Sequence, residues 1–174
     1  GYAPEPVALA RPLVRPVLAM GADMKNAIAV GYGNRVVLSP HVGDLDTPEA
    51  LEGFEQVVGA LPEFLGKSPA VVAVDAHPDM QSAAFGRRVA QARGVPVVEV
   101  QHHHAHAVAC LAEQGQREGL ALVMDGTGWG DDGTVWGAEV LAVEGTGFRR
   151  LATFEPVPLP GGDAAVREPA RQLV

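Results

Sequence analysis

A chain of 174 residues with 47% hydrophobic side chains has the apolar material for a buried core and too much of it for a disordered tail. Its formal charge of −8 works against unaided binding to a nucleic-acid backbone, which needs clustered Lys and Arg to release counterions. The single cysteine, Cys110, excludes an intramolecular disulfide framework, and no apolar run approaches the ~20 residues of a membrane-spanning helix. The expectation is a cytoplasmic protein with neither nucleic acid nor membrane as a partner.

In chain order, the proline-broken leader (Pro4, Pro6, Pro12, Pro16) has neither the basic start nor the apolar run of a signal peptide. Residues 1–16 read as a linker from an upstream module. Val17 to Met20, Ala27 to Tyr32 and Arg35 to Ser39 read as three strands, the last two joined by the tight-turn pair Gly33-Asn34. Thr47-Pro48-Glu49 has the order of a helix start, and Leu51, Phe54, Val57, Val58 and Leu61 continue it as an apolar stripe. The continuous apolar run ending at Asp75 predicts a strand buried on both faces. A helix from about Met80 to Ala92, the strand Val95 to Val100 and a helix from His102 to Gln114 follow. These close a first lobe over 17–118.

From Leu120 the pattern begins again. Leu120 to Met124, Thr134 to Val143 and Phe148 to Phe154 read as strands, and Val17-Leu18-Ala19-Met20-Gly21 is echoed by Ala121-Leu122-Val123-Met124-Asp125-Gly126. The echo predicts a duplicated unit. Residues 119–174 are then the incomplete start of a second lobe, and the whole is an α/β fold with a mixed sheet.

Chemistry concentrates where a strand hands over to a helix. Four of the six histidines lie in Gln101-His102-His103-His104-Ala105-His106, and four-residue spacing stacks His102 and His106 on one helical face, where two imidazoles can bind one divalent metal. His103 with His106 is the weaker pairing. Cys110 reads as a packed small apolar residue rather than a nucleophile. Asp125-Gly126-Thr127-Gly128 follows a strand, so backbone N–H groups there can approach phosphate, with Thr127 offering a hydroxyl and Asp125 a carboxylate for a metal or water. A plain glycine-rich hairpin loop has the same composition. Lys25 is either a cation facing a phosphate between the lobes or a solvated turn lysine. His41 either lines the cleft or belongs to a turn capped by Asp44, and Asp163, Arg167 and Glu168 either touch substrate or cap the next helix. His77 and Asp79 flank Pro78 as ordinary turn residues do.

Read in order, Ala22-Asp23-Met24-Lys25-Asn26, Leu38-Ser39-Pro40-His41-Val42-Gly43-Asp44-Leu45, the histidine run, Met124-Asp125-Gly126-Thr127-Gly128-Trp129-Gly130 with Asp132 to Glu139, and Pro158 to Pro169 resemble the HypF-type carbamoyltransferases. Five separated matches cover nearly the whole chain. The resemblance implies the first part of a carbamoyl-transferring domain with an actin-like ATPase (ribonuclease-H-like) fold, related to the tRNA threonylcarbamoyladenosine proteins and to antibiotic O-carbamoyltransferases. It implies iron or zinc on His102 and His106, which match the family's His-x-x-x-His pair, whereas His103 and His104 do not. It further implies ATP or carbamoyl-adenylate as ligand, with magnesium as a second ion the chemistry admits, and Lys25, Asp125, Gly126, Thr127 and Gly128 around the nucleotide.

The activity implied is transfer of a carbamoyl group from carbamoyl-adenylate to the C-terminal cysteine thiol of a HypE-type partner during nickel-iron hydrogenase maturation. Carbamoylation of a small-molecule hydroxyl or of tRNA is the alternative within the superfamily, and a non-catalytic nucleotide-binding scaffold is the alternative outside it. A remaining aspartate ligand is expected beyond this chain, so the chain alone is expected to bind metal weakly and to be inactive. Lys25 and the loop 125–128 are expected to face a common cleft.

Overall fold

The hairpin signals early in the chain build one side of a sheet, and the buried apolar runs build the other. The computed structural model describes residues 5–162, 164–165, 168 and 170–171. Strands β2 (Val17–Ala19), β3 (Ala29–Tyr32) and β4 (Arg35–Leu38) form an antiparallel meander, while β5 (Val71–Asp75) and β6 (Val97–Val100) join it in parallel. With β1 at Val7–Ala8, the sheet order is β1-β4-β3-β2-β5-β6. Parallel neighbours need helical crossovers, supplied by α1 (Pro48–Phe64) and α2 (Gln81–Arg93).

Within the leader, Val7 and Ala8 pair with β4 through Val7↔Val36 and Ala8↔Arg35, forming strand β1. Prolines at the sheet edge cost no ladder hydrogen bond when their missing N–H faces away from the partner, which is why the segment reads as coil.

Local chemistry accounts for the helices. Thr47 Oγ1 accepts a hydrogen bond from Ala50 N at 3.2 Å, closing the first turn of α1. Phe54 and Val58 project from α1 into a core with Leu18, Met20, Ile28, Val30, Leu45, Val72 and Val74. Helix α2 begins on a cap from far away in sequence: Asp23 accepts from Gln81 N at 2.8 Å and from Ser82 N at 2.9 Å. At Gly86 a Cβ would fall 2.6 Å from Val74 Cγ1 and 2.7 Å from Met20 Cγ, so only glycine lets α2 lie this close to the sheet.

Helix α3 (His102–Glu113) leads to a second sheet, the meander β7 (Glu118–Trp129), β8 (Val135–Glu144) and β9 (Gly147–Thr153). Its three antiparallel strands repeat the β2–β3–β4 arrangement, as the sequence echo anticipates. The histidine-bearing helix follows the first sheet in the chain yet packs on the second: Ala107, Val108 and Leu111 share a core with Val123, Trp136, Leu141 and Val143. Pairing of β7 with β8 shifts register between Met124 and Gly128. That bulge frees Asp125, Gly126 and Thr127 from the ladder and re-aims their side chains.

Among the described residues no helix is long and apolar enough to cross a membrane. Glu168 carries an ion pair to Arg171 at 2.7 Å, whereas Asp163 and Arg167 lie outside the described residues.

Candidate metal centre

Three separate elements meet at the first turn of α3. Gln101 sets that turn by accepting from His104 N at 2.8 Å, and its Nε2 donates to Trp129 O at 2.9 Å, tying the helix start to the end of β7. With the helix so anchored, His102 and His106 present their Nε2 atoms 3.3 Å apart. Asp125, from the β7 bulge, brings Oδ2 to 3.0 Å from His102 Nε2 and 3.4 Å from His106 Nε2. These three side chains are the group among the described residues with the spacing of a metal site.

The last residue of β5 completes the arrangement. Asp75 Oδ2 lies 2.6 Å from His102 Nδ1, and a carboxylate there draws the ring proton to Nδ1 and leaves the Nε2 lone pair facing the cluster. The opposite oxygen, Oδ1, accepts from His77 N at 2.8 Å. Burial pushes the Asp75 carboxyl upward, but its hydrogen bonds to His102 and to the His77 backbone outweigh that and hold it below the ordinary carboxylate value. Conversely, the hydrogen bond to Asp75 raises the His102 imidazole above its usual value against the pull of burial, helped by the charges of Asp75 and Asp125.

A cation fits the donor set. Zinc or iron with bonds of ~2.0–2.1 Å in tetrahedral or octahedral geometry separates neighbouring donor atoms by roughly 2.9–3.4 Å. The observed 3.0, 3.3 and 3.4 Å fall within that span. Two imidazoles and one carboxylate on one side of an ion also leave positions for a substrate oxygen, as in sites that use zinc or non-haem iron.

Other sequence expectations fare differently. A carboxylate within the chain, Asp125, stands beside the two histidines, delivered by a bulge that strand patterning does not show. Gly126 and Thr127 are exposed in that bulge. Gly128 is buried, and a Cβ on it would fall 2.5 Å from His103 Nε2, so the packing of His103 requires glycine there. Lys25 is exposed with positive φ (49°), and its N–H donates to Asp44 Oδ1 at 2.6 Å. Asp44 thus holds a backbone N–H 19 positions away, and no hydrogen bond or ion pair among the described residues joins Lys25 to the 125–128 loop. His41 is exposed, while His77 sits 5.2 Å from Trp129, ring to ring, and its Nδ1 accepts from Asp79 N at 3.1 Å.

Cys110 is also a correction, because it is exposed rather than packed. It lies four residues beyond His106 and lines the same groove with Leu120, Leu122 and Asp125. The opposite stripe of α3, His103 and Ala107, is the buried one. Burial also lowers the His104 imidazole below its usual value, partly offset by the charge of Asp131, and its ring lies 4.7 Å from that of Phe148.

A mixed sheet with crossover helices, followed by a repeated meander and a His-x-x-x-His helix between the two, defines an α/β protein consistent with the actin-like fold. Sequence comparison makes the assignment specific: the profile of the HypF Kae1-like domain matches residues 13–113, and that of the second subdomain of the carbamoyltransferase Kae1-like domain matches 121–174. The chain belongs to the HypF Kae1-like domain family.

Its relatives are named carbamoyltransferases. Carbamoyltransferase HypF2 of Cupriavidus necator is 44% identical over 98% of this chain and 21% of its own length. Carbamoyltransferase HypF of Rhizobium leguminosarum bv. viciae is 42% identical over 100% of this chain and 22% of its own. The crystal structure of T. kodakarensis HypF superposes with a TM-score of 0.90 at 30% identity, covering 98% of this chain and 22% of that one. A full-length HypF in a phosphate- and nucleotide-bound form gives 0.88 at 35%, covering 94% and 21%. The chain thus spans about a fifth of the length of these relatives.

Proposed function

We propose that this chain forms the metal-holding part of a domain that transfers a carbamoyl group from carbamoyl-adenylate to a cysteine thiol at the C-terminus of a HypE-type partner, in the cytoplasm, during hydrogenase maturation. The observation that carries the reading is the convergence of His102 Nε2, His106 Nε2 and Asp125 Oδ2 within 3.4 Å of one another, with His102 fixed from behind by Asp75. A scaffold module has no use for three lone-pair donors aimed at one point, because without a cation or proton between them they repel. His102, His106 and Asp125 would hold iron or zinc, which supplies a Lewis acid for a carbamoyl oxygen.

The chain's own residues then have distinct tasks. Asp75 keeps the His102 ring in one orientation and one tautomer. Gln101 pins the helix start to β7, so the histidines and Asp125 keep their separation. The bulge 125–127 leaves Gly126 and Thr127 exposed beside the donors, and their N–H and hydroxyl groups are suited to an adenylate phosphate, with magnesium as an admissible counterion. Nucleotide binding is stated for one structural relative and is carried to this chain as part of the proposal, as is a phosphate contact from Lys25. In the transfer the acceptor sulfur forms a C–S bond to the carbamoyl carbon, the C–O bond to phosphate breaks, AMP departs, and the thiol proton leaves to solvent.

The experiment supplies carbamoyl-adenylate and a cysteine-terminated peptide to purified protein carrying this chain. Carbamoyl-peptide should form with the parent protein and not with His106→Ala or Asp125→Ala. Equal transfer to a sugar hydroxyl or to tRNA would replace the thiol acceptor in this reading, and undiminished transfer by both variants would remove the metal site from it.

A further inference from the structure

Behind the three donors lies a buried pair that the proposed chemistry does not use. His103 and Glu139 are 0% and 1% exposed, and His103 Nδ1 lies 2.5 Å from Glu139 Oε2, an ion-pair contact without hydrogen-bond geometry. A carboxylate in the middle of a strand, opposite Val123 and beside the core residue Leu141, is costly to bury even when paired. Apolar residues of the same volume in place of such a pair often leave stability unchanged or raise it. Stability alone therefore does not account for these two residues.

Their placement gives another account. The far edge of the ring, His103 Nε2, has no hydrogen-bond partner among the described residues and faces Asp125 Oδ2 at 3.8 Å. The same edge fills the space that a Cβ at Gly128 would need, with 2.5 Å to Nε2 and 2.6 Å to Cδ2. Gly128 is where pairing with β8 resumes, through Trp136, after the bulge. The ring is thus wedged between the last residue of the bulge's frame and the carboxylate that the bulge presents. Glu139 holds the wedge: Oε2 contacts the imidazole, while Oε1 accepts from Gly137 N at 3.2 Å and from Thr153 Oγ1 at 3.3 Å.

The geometry points to His103 and Glu139 as positioning residues that set the β7 bulge and thereby aim Asp125 at His102 and His106. The inference rests on the reading of those three side chains as metal donors. His102 is hydrogen-bonded by Asp75 at its back, and Asp125 has the His103 ring, itself backed by Glu139, 3.8 Å behind its Oδ2, so each side of the cluster has a carboxylate–imidazole pair behind it. Helix spacing provides both at once, because His102 and His103 point to adjacent faces and meet different sheets.

The test is Zn²⁺ affinity, measured by competition with a chromophoric chelator, together with the visible spectrum of the Co²⁺ form and the thermal midpoint of metal-free protein. Glu139→Gln keeps the shape and the contacts to Gly137 and Thr153. The double variant His103→Leu with Glu139→Met removes the buried polar pair altogether. Both should fold with a metal-free midpoint near the parent's, bind Zn²⁺ about tenfold or more weakly, and give an altered Co²⁺ spectrum. In an Asp125→Asn background, Glu139→Gln should have no further effect on affinity, since its action runs through Asp125. Parent-like affinity and spectrum in both variants, with a change confined to the thermal midpoint, would overturn the inference and leave the metal site standing. Absence of Zn²⁺ binding by the parent, or full binding by His106→Ala, would instead overturn the metal reading and this inference with it.

Discussion

The two sheets are built from the same three-strand meander and reach different degrees of enclosure. In the first, Leu18, Met20, Ile28, Val30 and Phe54 are all 0% exposed, and α1 and α2 supply the cover. In the second, the cover described is α3 alone, and Leu120, Leu122 and Met124 are 73%, 68% and 73% exposed at alternate positions of β7. The contrast shows where stability and where chemistry reside. The first sheet holds the larger packed core, and the seam between the sheets holds the ionisable cluster, with Asp75 from one side, Asp125 from the other and the histidines on the helix between.

Truncation in the two sheets should therefore give unequal effects, and the inequality is the largest expected. Phe54→Ala opens a cavity in a sealed core and should lower unfolding free energy by about 3–5 kcal/mol. Leu122→Ala removes an exposed side chain and should stay within about 0.5 kcal/mol. Chemical denaturation of both variants measures the difference, and comparable losses would show that the outer face of β7 is covered in the molecule as it exists in solution.

The seam gives the next effect. His106→Ala deletes a donor and should weaken Zn²⁺ binding by more than the roughly 10- to 100-fold that loss of an outer partner costs. Asp75→Asn, which leaves all three donors in place but loosens the His102 ring, should fall inside that 10- to 100-fold range. Chelator competition ranks the two, and an Asp75→Asn protein with parent affinity would mean that the first sheet contributes position but no support to the cluster.

A smaller effect concerns the exposed strand face. Apolar residues at alternate positions of a strand form a contiguous patch that invites association. Leu122→Ser with Leu120→Ser should shift the chain toward monomer in sedimentation at high concentration without changing Zn²⁺ affinity. An unchanged sedimentation profile would separate exposure from stickiness in this sheet.

These contrasts also explain what could be read from the amino-acid order. The strand and helix sequence from Val17 to Thr153 was legible because apolar period and turn chemistry are local, as at Thr47-Pro48-Glu49 and Gly33-Asn34. His102 and His106 were legible as a pair because four-residue spacing fixes a helical face. Asp75 was not, since it closes an apolar strand 27 positions before the ring it holds and looks like any strand-end carboxylate. The role of Asp125 was half legible: its carboxylate stood out after a strand, while the register shift that turns it toward the histidines depends on β8. His103 and Glu139 became visible only through burial, because a histidine in a histidine run and a glutamate in a strand carry no local mark. Strand β1 was hidden by its prolines.

The second sheet has its own polar anchor, and its acid response sharpens the comparison at the smallest scale. Asp132 Oδ1 accepts from Thr134 Oγ1 at 2.6 Å, from Trp136 Nε1 at 2.9 Å and from Thr134 N at 3.1 Å, while Oδ2 meets Arg150 at 2.8 Å. The hydrogen bond from the Thr134 hydroxyl leads these in holding the Asp132 carboxyl down at about 2, against an ordinary value of 3.8. A carboxyl whose value is depressed in the folded state stabilises that state above its unfolded value, and the contribution is lost as pH falls through the folded one. The Asp132 contribution should therefore be complete above about pH 4 and disappear between there and about pH 2. With the side chain 39% exposed, solvent and salt screen the Arg150 part of it, so the effect is modest and shrinks further in high salt. Trp136, whose indole N–H is one of the donors, provides a fluorescence reporter within the affected turn. Asp132→Asn should abolish the change in Trp136 emission over that pH window, while the Phe54 core of the first sheet keeps the parent's acid response. An identical acid transition in parent and variant would place the acid sensitivity of this sheet in groups other than Asp132.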